Sequence, residues 1–348
     1  MRVVIVGATG NVGTSLIRSF AHDDRVDSIL GLARRVPQID LPKTTWAKAD
    51  VTHSDLVSHF DGADAVIHLA WLIQPSRDIV KLRSTNVDGS RRVFEAAASA
   101  GAPALIYASS VGTYSPGPKD GAVDESWPAK GVSTSFYSRH KAEVEAMLDA
   151  FEREHPDMRV VRLRPGLIFK REAASEIRRL FIGPMLPSFF VRESLIPFVP
   201  NIDGLRFQAV HSYDVGDAYR LATVSDARGI FNVAADPVLD PHELARLLDA
   251  KPVRMSPQAV RRLAQISWRL RLQPTPPGWA DMGLNVPIMS TTRAREELGW
   301  TPRYSSTEAL AELLAGLRDN AGFDTPPLDP RAGGRFRIRE FLTGVGSD

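Results

Sequence analysis

The stretch Val3-Val4-Ile5-Val6-Gly7-Ala8-Thr9-Gly10-Asn11-Val12-Gly13 decides how this chain is read. Four β-branched residues in a row suit a strand buried on both faces, as in a parallel sheet. Glycines at 7, 10 and 13 then supply a tight turn, a close approach of backbone to a pyrophosphate, and close packing of helix on strand. Behind them Val12, Leu16 and Phe20 recur at helical spacing, so the turn opens a helix whose first N–H groups can face an anion. Strand, glycine turn and helix in that order predict an α/β fold with a Rossmann-like, doubly wound parallel sheet.

A second stretch, Tyr137-Ser138-Arg139-His140-Lys141, sets a phenol and an ammonium four residues apart at the start of a helix continued by Val144, Met147, Leu148 and Phe151. At i and i+4 both side chains leave one face. An ammonium beside a phenol stabilises the phenolate and lowers a tyrosine pKa from about 10 toward neutrality. Such a tyrosine passes a proton to or from a substrate hydroxyl or carbonyl. Ser109-Ser110 stands between the two stretches. Together they resemble the short-chain dehydrogenase/reductase superfamily, in its extended, NAD(P)-dependent epimerase/dehydratase-like branch.

The bulk numbers are permissive. A chain of 348 residues can bury a large core and is expected to form two lobes around one site. A net charge of +2 implies no nucleic-acid partner. The absence of cysteine excludes disulfides, thiol catalysis and cysteine-ligated metals, no metal is expected, and the usage fits a cytoplasmic enzyme. The apolar start is short and interrupted by glycines, unlike a signal peptide. No run approaches the length of a membrane span, so no membrane partner is expected.

The resemblance implies a dinucleotide-binding domain over residues 1–166, completed by a returning segment at 207–234. A smaller, mixed substrate lobe would take 167–206 and 235–315, and 316–348 reads as a polar tail. Gly7, Thr9, Gly10, Asn11, Val12 and Gly13 would surround the pyrophosphate. The second strand, over 27–35, ends in Gly31-Leu32-Ala33-Arg34-Arg35. Ala33 stands where NAD-binding relatives carry an acid for the ribose, and guanidinium groups suit a 2′-phosphate. NADP is therefore favoured, through Arg34 ahead of Arg35; the alternative is two solvated arginines and NAD. A third strand over 44–48 leads to Asp50 and Val51, which match the residues that meet the adenine, although Asp50 also suits a turn cap before Ser54-Asp55.

A fourth strand over 63–67 leads into His68-Leu69-Ala70, which resembles the loop beside the cofactor ribose and phosphates, His68 being structural. Trp71 replaces a small residue there and is expected to narrow the nicotinamide site, touching cofactor and substrate. A long helix over 78–100 carries Asn86, expected to tie helix to sheet. After a fifth strand over 104–108, Ser110 would donate to the substrate oxygen, with Ser109 as alternate. Tyr137 would act as general acid/base, and Lys141 would lower its pKa and bond the nicotinamide ribose. Beyond a sixth strand over 158–163, Pro165 of the Arg164-Pro165 turn would line the nicotinamide. The helices near 79–100 and 136–154 resemble a pair that builds dimer interfaces, so a homodimer is expected.

The chain also departs from the pattern. Nucleotide-sugar enzymes continue with an Asn and a Tyr-Gly-Pro segment, where this chain has Gly166 and Phe169-Lys170-Arg171. Lys170 and Arg171 remain available for a phosphate. Residues 172–206 are rich in Phe, Leu and Pro, including Leu180-Phe181-Ile182, Pro187-Ser188-Phe189-Phe190 and Ile196 to Pro200; they fit an apolar substrate or simply a lobe's core. His211 reads as a packing residue. A helix from Pro257 carries Arg261, Arg262, Arg269 and Arg271 with Trp268, an anion holder or a solvated face. The leading expectation is an NADP-dependent oxidoreductase of a small, fairly apolar carbonyl or alcohol. A nucleotide-sugar epimerase or dehydratase holding NAD tightly is the alternative, and a non-catalytic redox sensor the third; fold alone does not separate them.

Overall fold

Val3 and Ile5 send their side chains to one face of a sheet and Val4 and Val6 to the other, and all four are buried. The computed structural model describes residues 1–74, 77–182 and 197–331. Those valines lie in β1 (Arg2–Val6), which is flanked by β2 (Ser28–Ala33) and β4 (Ala65–His68). The sheet extends through β3 (Thr44–Lys48) on one side, and through β5 (Ala104–Ala108), β7 (Arg159–Pro165) and β11 (Gly229–Val233) on the other. Its order is β11-β7-β5-β4-β1-β2-β3, parallel throughout. The direction of winding reverses between β1 and β4, which is where such sheets open a crevice for a ligand.

Three small parallel pairs lie outside this sheet. β6 (Ala122–Val123) pairs with β13 (Ile288–Met289), β8 (Leu167–Phe169) with β10 (Ala209–His211), and β9 (Phe198–Asn201) with β12 (Lys251–Arg254). One face of the main sheet is covered by α1 (Asn11–Phe20), α7 (Ser212–Val224) and α11 (Thr292–Glu297). Short α2 (Val57–Phe60), then α4 (Gly89–Ser99) and α5 (Phe136–Glu154), cover the other. The helix expected over 78–100 is not a plain α-helix: α3 (Ile79–Arg83) passes into α4 through a π turn at Ser84–Asp88.

The second lobe contains α6 (Ala174–Ile177), α8 (Pro241–Leu247), α9 (Pro257–Arg269), α10 (Gly278–Asn285) and α12 (Ser306–Arg318). α12 starts with a capping box in which Ser305 and Glu308 satisfy each other's backbone N–H groups. It crosses the expected start of the tail at 316, and the chain beyond it is packed: Thr325 and Leu328 are buried. The segment after 315 is therefore not a solvated tail as far as residue 331, because its apolar and hydroxyl side chains find partners. Residues 332–348, and Pro187, Ser188, Phe189, Phe190 and Ile196 of the apolar stretch, lie outside the described residues. Among the described residues no helix is long and apolar enough to cross a membrane.

Candidate functional site

Gly7 takes φ +90, a region that side chains avoid, and a Cβ there would stand 2.7 Å from the Ala70 nitrogen. The turn is clamped to β2 by Gly7 N and Ala8 N, which both donate to the Leu32 carbonyl at 3.0 and 3.3 Å. At Gly13 a Cβ would meet the Ala8 carbonyl oxygen at 2.4 Å, so only glycine lets α1 lie this close to the turn. The N-cap of α1, Gly10, offers no side-chain acceptor to the first turn, which also carries no acidic residue. A cradle that a Cβ would fill, at an uncapped helix N-terminus, fits a dinucleotide pyrophosphate. Thr9, buried in this turn, accepts through its carbonyl from Thr325 Oγ1 at 2.8 Å.

At the adenosine end, β2 stops at Ala33 and leaves Arg34 and Arg35 exposed. Asp50 Oδ1 accepts from Thr52 N at 2.9 Å and Thr52 Oγ1 at 2.6 Å, so it caps a turn. Burial raises the Asp50 pKa, but the Thr52 bonds, with His53 and Arg34 nearby, override it and hold the carboxyl below its usual range. Val51 is buried, and a Cβ on Gly89 would meet its methyl at 2.6 Å.

The residues expected to react gather at the carboxyl edge of β4 and β5 and the start of α5. The Ser110 hydroxyl accepts from Gly112 N at 3.0 Å and stands against the Tyr137 phenol. Lys141 Nζ donates to the Ala108 carbonyl at 2.6 Å and lies 3.5 Å over the Trp71 ring. The expected lowering of the tyrosine is not what this arrangement produces. Burial pushes Tyr137 up to about 12, opposed only by Ser110. The ammonium sits 5.9 Å from the phenol ring centre, and burial pulls it well below its own usual value. A phenol and an ammonium can share a helix face and still turn to different partners.

Two further expectations change. Ser109 does not face the site: its hydroxyl donates to Glu145, which also binds Arg164 through two hydrogen bonds. Burial works against the Glu145 carboxylate, yet Arg164, Ser109 and Arg162 hold its pKa below the usual range. Lys170 is buried rather than open to a phosphate, donating to Asn11 O, Thr14 Oγ1 and Ser15 Oγ at 2.9, 2.8 and 3.0 Å. Arg171 pairs instead with Asp319. His68 is a packed residue bonded to Ser90 at 2.9 Å, and burial pulls it down to about 3. His211 likewise stacks on Tyr304 at 4.0 Å and bonds Glu312.

Asn86, re-aimed by the π turn, holds the loop after β4 through both Leu72 backbone groups at 2.7 Å. That fixes Leu69, Ala70 and Trp71 beside the glycine turn. Pro165 closes β7 opposite Val233. One residue beside the candidate site carries no signal in the sequence: Trp279 of α10 lies tilted against Tyr137 with ring centres 4.8 Å apart, with Phe181 edge-on to it at 4.9 Å and Trp71 edge-on to the tyrosine at 5.9 Å.

Comparison with known proteins agrees with this fold. An uncharacterized protein of Mycobacterium tuberculosis is 23% identical over 343 residues, covering 94% of this chain and 86% of the relative. A dTDP-glucose 4,6-dehydratase of Streptomyces niveus is 24% identical over 362 residues, covering 95% and 96%. Among solved structures, the fold is shared with a Thermus thermophilus UDP-glucose 4-epimerase in complex with NAD, at TM-score 0.65, 20% identity and coverage of 91% and 99%. It is shared also with a Streptomyces venezuelae dTDP-glucose 4,6-dehydratase with NAD bound, at TM-score 0.67, 19% identity and coverage of 92% and 98%. A model of one family matches residues 3–234, the whole span from β1 through β11, and the chain belongs to that family, the NAD dependent epimerase/dehydratase family.

Proposed function

We propose that this chain is an NAD(P)-dependent oxidoreductase that transfers hydride to or from a carbon bearing a carbonyl or hydroxyl, with Tyr137 as general acid/base. The meeting of Tyr137, Ser110 and Lys141 at the carboxyl edge of β5 carries the reading. A bound nicotinamide supplies the hydride chemistry. Gly7, Thr9, Gly10, Asn11, Val12 and Gly13 would hold its pyrophosphate, Asp50 and Val51 its adenine, and Leu69, Ala70, Trp71, Lys141 and Pro165 its nicotinamide half. Exposed Arg34, with Arg35 behind it and no acid at Ala33, favours a 2′-phosphate and hence NADP.

Tyr137 keeps its proton through neutral pH, so its ready role is to give that proton to a carbonyl oxygen polarised by Ser110. The aromatic rings of Trp71, Trp279 and Phe181 around the tyrosine support a fairly apolar substrate. Val80 and Ile79 on α3, 81% and 43% exposed, support a homodimer through this helix and α5.

A nucleotide-sugar epimerase or dehydratase holding NAD is the second reading, favoured by the named activities of the Streptomyces niveus relative and the solved structures. Phe169-Lys170-Arg171 speaks against it, since Lys170 is committed to α1 and Arg171 to Asp319. Native mass spectrometry of the purified protein with NADPH and NADH separates the two: an empty protein that prefers NADPH supports the reductase, and tightly retained NAD supports the epimerase. Tyr137→Phe should then lose about 10²- to 10⁴-fold in turnover while still binding dinucleotide. Full turnover in that variant would end the assignment of Tyr137.

A further inference from the structure

Among the described residues, α9 and its surroundings stand apart in charge and exposure. Residues 251–280 contain six basic side chains and no Asp or Glu, in a chain whose whole net charge is +2. No residue of α9 is buried. Leu263, Ile266 and Leu270 are 62%, 55% and 64% exposed, and Leu272 just beyond the helix is 43% exposed. At i, i+3 and i+7 the first three share one face of the helix. Arg262 and Arg269, seven apart and each beside Ile266 in the helical net, border that face.

The opposite side of α9 attaches it to the protein. There the Arg77 guanidinium lies 4.2 Å over the Trp268 ring, and Arg261 pairs with Asp281 at 2.8 Å. Among the described residues Arg262, Arg269 and Arg271 have no carboxylate partner. The result is an outward apolar stripe edged by uncompensated guanidinium groups.

A face of this kind is matched by a lipid interface. Leu263, Ile266 and Leu270 can enter the acyl boundary while the arginines meet anionic headgroups. We propose that α9 docks this protein onto the surface of an anionic lipid bilayer, lying in the plane of the headgroups. The absence of a membrane-crossing helix among the described residues excludes a span there and leaves surface attachment open. A second copy is the poorer occupant, because pairing two α9 faces about a two-fold axis brings Arg262 and Arg269 of both copies together. Docking does not depend on the proposed reaction. It would, however, bring the bilayer close to the site, since Arg77 follows the Trp71 loop and α10 packs on both α9 and α5.

The test is co-sedimentation of the full chain with extruded vesicles of phosphatidylcholine alone and of phosphatidylcholine mixed with phosphatidylglycerol. The protein should partition onto the mixed vesicles, far less onto the neutral ones, and less again at high salt. Arg262→Glu/Arg269→Glu should weaken partitioning roughly tenfold or more, and Leu263→Glu/Ile266→Glu/Leu270→Glu should abolish it, with dinucleotide binding retained in both as the check on folding. No partitioning of the unaltered protein at low salt overturns the proposal. So does equal partitioning by all three proteins. An oligomer that the leucine variant converts to monomers would assign the face to a second copy and overturn it too.

Discussion

α1 and α9 are both short helices with an apolar stripe and a polar back, and they end in opposite conditions. α1 lies under the central sheet with Leu16, Ile17 and Phe20 at 0% exposure. α9 buries no residue at all. Periodicity announces that a helix has an apolar face; it does not say what covers it. For α1 the cover is supplied by β1 and α7, which arrive because a glycine at 13 lets the helix approach and because α7 returns to the same face. For α9 no element of the described chain arrives, and the helix is held from its other side.

The contrast can be tested, beginning where the largest response is expected. Glu145 and Arg164, both buried, belong to the tightly built half. Glu145→Ala leaves the buried Arg164 guanidinium without its carboxylate, with only the Glu125 carbonyl and the Tyr114 ring beside it, and should cost about 3–5 kcal/mol in chemical denaturation. A loss below ~1 kcal/mol would mean that the sheet domain tolerates open charges as the second lobe does.

Lys170 gives a pH signature of the same half. Burial pulls its ammonium from 10.5 down to about 8, so between those values the unfolded chain binds more protons than the folded one. Stability relative to Lys170→Met should therefore rise as pH goes up through that window, by as much as ~3 kcal/mol. Melting curves of both proteins across the window check it. A constant difference would place Lys170 in solvent.

Arg34 lies between the two conditions, exposed yet beside the proposed cofactor site. Arg34→Glu should move the ratio of NADPH to NADH affinity by roughly tenfold or more toward NADH, measured by fluorescence titration. An unchanged ratio would make Arg34 a solvated charge. The smallest response belongs to α9. Leu263→Ala should change stability by less than about 0.5 kcal/mol, whereas Leu16→Ala should cost about 2–5 kcal/mol. Equal costs would erase the distinction between the helices.

What was legible in the sequence follows the same division. β1, the glycine turn and α1 are read from one short run of residues, because the glycines that let the helix lie close to the strand stand within that run. The grouping of Ser110, Tyr137 and Lys141 was legible for the same reason, as two local motifs at the ends of β5 and the start of α5. The state of that group was not. The proton on Tyr137 depends on how deeply the ring is buried, and the direction of Lys141 depends on the Ala108 carbonyl and the Trp71 ring. Ser109 and Ser110 are neighbours whose roles diverge only once Glu145 and Arg164, from two other elements, take the Ser109 hydroxyl. Lys170 looked available because an isolated lysine always does; three oxygens of α1 claim it. Trp279 was invisible, since nothing in its own segment says that α10 will lie over the start of α5.

The contact between Thr325 and Thr9 joins residues 316 positions apart. During synthesis at about 5–20 residues per second, Thr9 leaves the ribosome roughly 15 s to a minute before its partner does. A glycine turn that takes shape in the nascent chain before then lacks this brace. Translation arrested before residue 325 would yield a turn held by Leu32 and packed on Ala70 but not braced by Thr325, which makes the order of emergence part of how the glycine turn reaches its final shape.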